Sequence, residues 1–148
     1  MVDINLNQKV AAPAIQIRDV LLQHEQLDRF FNATFKLVKK QDEGEIKGGK
    51  GTIRQVTMSG VTFNEEIIDA DDNQICYRIM GNKPVADHSG EIRFVENNKN
   101  AVLQTDISYE IKCKAPWWLP NFILSYFIKK DISRALQKLA NSFKDDVK

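Results

Sequence analysis

Arg54, Glu65, Tyr77, His88 and Tyr109 are the residues of this chain whose types could do chemistry together. A guanidinium beside a carboxylate can anchor a ligand's carboxylate or hydroxyl, and two phenols can donate to a carbonyl. An imidazole titrates near neutrality, which makes His88 the candidate general acid or base. Spacing argues against other chemistries. Residues 44–52, GEIKGGKGT, fall one position short of the phosphate-binding pattern G-x-x-x-x-G-K-[ST], and Gly51 stands where the Mg²⁺-binding hydroxyl belongs. The stretch that follows, TIRQVTM, alternates as a strand and opens no helix, so no helix amides face a phosphate. His88 with Glu65 supplies two metal ligands at most where a site needs three or four, so neither a metal nor another cofactor is expected. Cys76 alternates with Ile75 and Tyr77 and so points away from His88, which leaves no Cys-His pair. His24 opens a short amphipathic stretch and is expected to face solvent.

The elements that must position these side chains follow from periodicity. VDINLNQKV alternates as a half-buried strand with Val2, Ile4, Leu6 and Val10 on one face. APAIQIRDVLLQ starts a helix at Pro13, and HEQLDRFF a second short one. Six strand-like runs follow at 34–41, 52–58, 61–69, 74–80, 88–96 and 101–112, and a helical pattern closes the chain from about Leu119 to Lys144. Short turns between successive strands make them antiparallel. A long amphipathic helix arriving last needs a surface to cover. The expected fold is α+β: a seven-stranded curved antiparallel sheet gripping a long C-terminal helix, with two short helices after the first strand, in one domain over 1–148.

Turn length sets register, and register sets faces. Ser59-Gly60 is a two-residue hairpin loop that places Met58 opposite Val61, Val56 opposite Phe63, Arg54 opposite Glu65 and Thr52 opposite Ile67. A three-residue loop at Asp71-Asp72-Asn73 sets Ile67 opposite Tyr77 and Glu65 opposite Ile79. A four-residue loop over 97–100 pairs Phe94 with Leu103, Ile92 with Thr105, and His88 with Tyr109. All three hairpins turn one apolar face inward, carrying Val56, Phe63, Ile67, Ile79, Ile92 and Phe94. Arg54, Glu65, Tyr77, His88, Thr105 and Tyr109 stand on the same face. Phe122 and Tyr126, on the helix stripe with Ile128, Ile132, Leu136, Leu139 and Phe143, are expected to close over it. Burying an unpaired charge costs several kcal/mol. Such a polar set on an inner face therefore implies a partly hydrated cavity, with Gly48, Gly49 and Gly51 as a flexible loop at its mouth.

These segments together resemble the START-like (SRPBCC) superfamily of polyketide cyclases, lipid-transfer domains and plant pollen allergens. GGKGTIRQVTMSG is similar to the glycine-rich loop and strand of the allergens, and VAAPAIQIRDVLLQHEQLDRFF to the opening strand and helix pair. FNEEIIDADDNQICYRI resembles the E-x-[VI] strand, acidic turn and Y-x-I strand of bacterial members, and ISRALQKLANSFKDD the closing helix. The resemblance covers nearly the whole chain. It implies a helix-grip fold around a cavity for an apolar or amphipathic small molecule, in a group that includes binders, transfer proteins and some enzymes.

Composition fits this reading. Hydrophobic residues are 43% and charged residues 28%, ordinary for a globular protein, and the net charge of +1 argues against a broad nucleic-acid surface. MVDINLNQKV carries no secretion pattern and Cys76 and Cys113 lie far apart, so a cytoplasmic protein with reduced thiols is expected. The longest apolar run, WWLPNFILSYFI, is too short and too polar to span a bilayer. It departs from the family pattern in setting Trp117 and Trp118 between two prolines, near Lys112, Lys114, Lys129 and Lys130. These tryptophans suit core packing, a cavity lid or peripheral membrane contact. The leading expectation is binding or transport of a lipid-, polyketide- or isoprenoid-like molecule. The alternatives are a cyclase/aromatase-like enzyme and an interaction module built on the tryptophan segment.

Overall fold

The computed structural model describes residues 1–99 and 102–145. Alternation makes β1 (Val2–Val10), with Val2, Ile4 and Val10 buried and Asp3 and Asn5 outside. Pro13, with φ −64° and no N–H to satisfy, precedes α1 (Ala14–Leu21), and a 3₁₀ turn follows over His24–Arg29. Then come β2 (Thr34–Lys39), β3 (Ile53–Met58), β4 (Val61–Ala70), β5 (Gln74–Ile79), β6 (Ala86–Lys99) and β7 (Val102–Lys114), and α2 (Asn121–Asp145) ends the order. The strands form one antiparallel sheet in the order β1-β7-β6-β5-β4-β3-β2. This is the expected α+β helix-grip architecture.

β1 and β2 are neighbours in the chain yet occupy opposite edges of the sheet. At ~4.8 Å per strand, those edges lie about 29 Å apart measured along the sheet. Residues 11–33 cross that distance, and polar contacts pin them as they go. Thr105 Oγ1 donates to the Ala12 carbonyl at 2.7 Å, the Ala14 N–H donates to Glu96 Oε1 at 2.7 Å, and Arg18 pairs with Asp72.

Three hairpins carry the site, and each has its own register history. Ser59 and Gly60 both have positive φ, 51° and 79°, and the resulting tight turn pairs Met58 with Val61, Val56 with Phe63 and Arg54 with Glu65, as expected. In the second hairpin Ile67 faces Tyr77 and Glu65 faces Ile79, again as expected, but by a different route. The Asp71 N–H bonds back to the Gln74 carbonyl, so the loop is one residue shorter than anticipated. A bulge between Ile67 and Asp69 restores the missing residue. The third register is corrected: Phe94 pairs with Ile107, Ile92 with Tyr109 and Glu96 with Thr105, and the ladder runs on to Lys99–Val102. The anticipated 97–100 loop is mostly strand, and residue 100 lies outside the described residues. The slip is an even number of positions, so every side chain keeps its expected face.

α2 covers the sheet with one half only. Ile132, Ala135, Leu136, Leu139 and Ala140 are buried, and Ile128 and Phe143 pack at the margin. No residue from Asn121 to Asp131 is buried. Phe122 and Tyr126 were expected over the inner face but are 75% and 60% exposed. At 100° per residue Tyr126 lies about 120° from Ile132, off the buried stripe. Phe122 lies about 80° away, at the stripe's margin, in a first turn that overhangs the sheet. Leu124, absent from the expected stripe, packs on the core from that half together with Ile128.

Leu139→Ala is expected to cost about 2–5 kcal/mol in urea unfolding, whereas Phe122→Ala should change stability by less than about 0.5 kcal/mol. Equal losses would contradict the division of α2 into a packed and an overhanging half.

Candidate functional site

Arg54 on β3 and Glu65 on β4 sit opposite each other because the Ser59-Gly60 turn sets that register. Both are buried, at 8% and 7% exposure. Arg54 Nε donates to Glu65 Oε1 at 2.9 Å and Nη2 approaches the same oxygen at 2.8 Å, so Glu65 Oε2 takes no bond from a described residue. Burial opposes the guanidinium's charge, but Glu65 offsets it and the Arg54 pKa rises. The guanidinium also stacks over Tyr77, 5.2 Å from the ring centroid, and over Phe35 of β2 at 5.4 Å.

His24 is the residue the sequence reading misplaced. It is buried, because the 3₁₀ turn points it into the sheet. Arg54 Nη1 donates to His24 Nδ1 at 3.0 Å, and His24 Nε2–H donates to the Gly48 carbonyl at 2.8 Å. Both ring nitrogens are used, which fixes a neutral tautomer. Burial and the Arg54 charge, against the Gly48 carbonyl, lower its pKa from 6.5 to about 4. The glycine loop is therefore a stitched turn. Gly48 has φ +77°, and a Cβ there would run into the Leu22 carbonyl oxygen, so the loop packs on the segment joining α1 to the 3₁₀ turn. The Gly49 N–H bonds to the Ile46 carbonyl at 2.8 Å and the Gly51 N–H to the Ile67 carbonyl at 2.9 Å. Gly48, Gly49 and Gly51 are all buried.

Tyr77 on β5 lies across Gly90 on β6, where any Cβ would strike its ring. That glycine lets the Tyr77 hydroxyl reach the Tyr109 hydroxyl on β7, and the two form a short hydrogen bond. Two phenols carry two hydrogens and this contact uses one. Burial raises both phenol pKa values. His88 does not face Tyr109 as expected. The four-residue slip gives Tyr109 to Ile92, and His88 sits in the bulge between Ala86 and Ser89 with its ring 5.4 Å from Tyr77. Its Nδ1 accepts the Ile79 N–H at 3.1 Å, replacing a ladder bond beyond the last β5–β6 pair, and burial lowers its pKa.

The remaining expected site residues divide. Val56 and Phe63 flank the cluster on β3 and β4, joined by Phe35 of β2, which the sequence reading did not single out; Phe63 and Phe35 are only partly buried. Ile67, Ile79 and Ile92 are core. Thr105 is fully buried and serves the Ala12 carbonyl, and Phe94 lies beside the start of α1. Thr52 Oγ1 is buried without a partner among the described residues. The described residues also form surface clefts. One of about 290 Å³ runs along β5 and β6, lined by Tyr77, His88 and Gly90 of the cluster together with Cys76, Arg78 and Glu91, and one of about 300 Å³ lies between α1 and the β4–β5 turn. Neither is the space under α2. No other feature of the sequence marked His24, since its partners are brought up only by the loop and β3.

A curved antiparallel sheet around a terminal helix, with a polar cluster on its concave side, defines a START-like helix-grip protein. The chain belongs to the polyketide cyclase/dehydrase and lipid transport family, whose model matches residues 1–144. Among solved structures it is similar to the protein XoxI from Bacillus cereus, with TM-score 0.76 and 16% identity over 100% of this chain and 99% of that one. It is also similar to a START superfamily protein from Mycobacterium smegmatis, with TM-score 0.78 and 11% identity over 97% of each chain. No functionally curated protein matches it by sequence.

Two outcomes follow from the cluster. The unfolded chain takes up the His24 proton near pH 6.5 and the folded chain not until about 4. The unfolded state thus binds more protons in between, and stability should fall by about 3 kcal/mol as the pH drops across that window. His88 shifts in the same direction and adds to the loss. Urea midpoints at pH 7 and 4.5 measure it, and a His24→Gln variant should show a shallower slope. Separately, Arg54→Leu should cost about 3–5 kcal/mol by stranding Glu65, and adding Glu65→Leu should recover most of that. A double variant as unstable as the single one would refute the pairing.

Proposed function

We propose that this protein binds a hydrophobic or amphipathic small molecule, of lipid, polyketide or isoprenoid type, between the concave face of the sheet and the overhanging half of α2. The observation that carries this reading is the unfinished packing there. Leu124 and Ile128 on α2, and Phe35 and Phe63 on the sheet, are apolar yet only partly buried. An apolar body between them would take all four out of water. The polar cluster beside them supplies orientation. Glu65 Oε2 has acceptor capacity to spare and the tyrosine pair one donor hydrogen, a match for a ligand hydroxyl or carbonyl. The family match supports the same class of ligand.

A cyclase-like reaction has less in its favour. Both nitrogens of His24 and one of His88 are spent on structural hydrogen bonds. Binding without turnover is the reading we adopt.

Burying ~300 Å² of apolar ligand is worth about 7 kcal/mol before association costs, so micromolar affinity is expected. Native mass spectrometry of the purified protein should reveal a co-purifying apolar molecule. Titration of the delipidated protein with 1-anilinonaphthalene-8-sulfonate should saturate at one site, and Phe63→Glu should weaken it at least tenfold. An absence of saturable binding at tens of micromolar probe would overturn the proposal.

A further inference from the structure

The segment between β7 and α2 presents aromatic side chains to water in a way that folding does not require. The Leu119 N–H bonds to the Pro116 carbonyl at 3.0 Å, closing a turn whose two central residues are Trp117 and Trp118. They are 97% and 65% exposed, and Phe122, Tyr126 and Phe127 on the overhanging half of α2 are 75%, 60% and 55% exposed. Central turn positions favour Gly, Pro, Asn, Asp and Ser, so tryptophan there gains nothing locally. Exposed aromatic side chains gathered in so short a stretch of chain mark a contact surface.

The charges around it say what that surface meets. From Ile111 to Lys130 the chain carries Lys112, Lys114, Lys129 and Lys130 and no acidic residue, although its total net charge is only +1. Lys112 is shared with Glu110 at 3.3 Å, and the other three make no ion pair among the described residues. On α2, Lys129 lies about 20° around the helix from Phe122 and ~10 Å behind it, with Lys130 on the same side. That is aromatic tip first and cations behind, at the spacing of the acyl boundary and the phosphate layer. No described helix is long and apolar enough to cross a membrane, which confines the contact to the surface.

We propose that the tip formed by the Trp117-Trp118 turn and the first turns of α2 docks peripherally on an anionic lipid surface. Trp117, Trp118 and Phe122 enter the headgroup–acyl boundary, and Lys114, Lys129 and Lys130 face lipid phosphates. The inference stands independently of the bound ligand. If that reading also holds, the tip places the open side of the ligand groove against the bilayer.

The only tryptophans of the chain are Trp117 and Trp118, so intrinsic emission reports on this tip alone. Vesicles of phosphatidylcholine and phosphatidylserine at 7:3 should shift the emission to the blue and sediment the full-length protein at low salt. Pure phosphatidylcholine vesicles should bind at least tenfold more weakly. Lys129→Glu with Lys130→Glu should lower binding by more than tenfold, since each lysine near such a surface is worth about fivefold. Trp117→Ser with Trp118→Ser should abolish sedimentation while the unfolding midpoint and the anilinonaphthalene titration stay unchanged, which separates this site from the ligand site. No sedimentation with anionic vesicles at low salt would overturn the proposal. So would a blue shift that depends on protein concentration without lipid and coincides with a dimer mass, which would assign the tip to a second copy of the chain.

Discussion

The buried charge of Arg54 is the constraint around which the concave side is built. A guanidinium this far from water must have its donors met and its charge balanced. Each element nearby contributes: Glu65 from β4 supplies the counter-charge, His24 from the 3₁₀ turn accepts a donor, and Phe35 and Tyr77 offer their ring faces. His24 passes the tie outward to the Gly48 carbonyl, so the glycine loop, the crossing segment and the sheet are held through one cation. The glycines are there for close approach. Gly48 admits the Leu22 carbonyl and Gly90 admits the Tyr77 ring. The loop whose spacing falls one position short of a phosphate cradle is a clamp on an imidazole.

The second organising feature is the uneven use of α2. Its C-terminal half completes the core with Leu136, Leu139 and Ala140, while its N-terminal half and the turn before it contribute aromatic surface without burial. Under the proposed function, incomplete packing at one end of the grip is where a guest enters without unfolding the host. Stability and access are then assigned to different stretches of one helix.

The hairpins explain why the inner face was readable. Strand side chains alternate with period two, so a register error of an even number of residues leaves their faces unchanged. That is why Tyr109 was correctly turned inward although its partner is Ile92 and not His88. In the β4–β5 hairpin a shorter loop and a bulge cancel, and Ile67 meets Tyr77 regardless. His88 shows the limit. It kept its inward face beside Tyr77, but a bulge left it without a ladder partner, and no residue type announces a bulge in advance. On α2 the period of 3.6 is less forgiving: an apolar stripe drawn too wide took in Tyr126, which points to water, and passed over Leu124.

From residue order alone came the sequence of elements, the antiparallel sheet, the inward set Arg54, Glu65, Tyr77 and Tyr109, and the family resemblance. All of these rest on local periodicity and turn chemistry, which are written in neighbouring residues. Tertiary structure decided the rest: that His24 is buried between Gly48 and Arg54, that Thr105 serves the Ala12 carbonyl, that Gly90 makes room for the phenol pair, and that the first half of α2 buries no residue. Each of these joins segments distant along the chain. Their contacts depend on where the crossing segment and the terminal helix come to rest against the curved sheet, which no local pattern encodes.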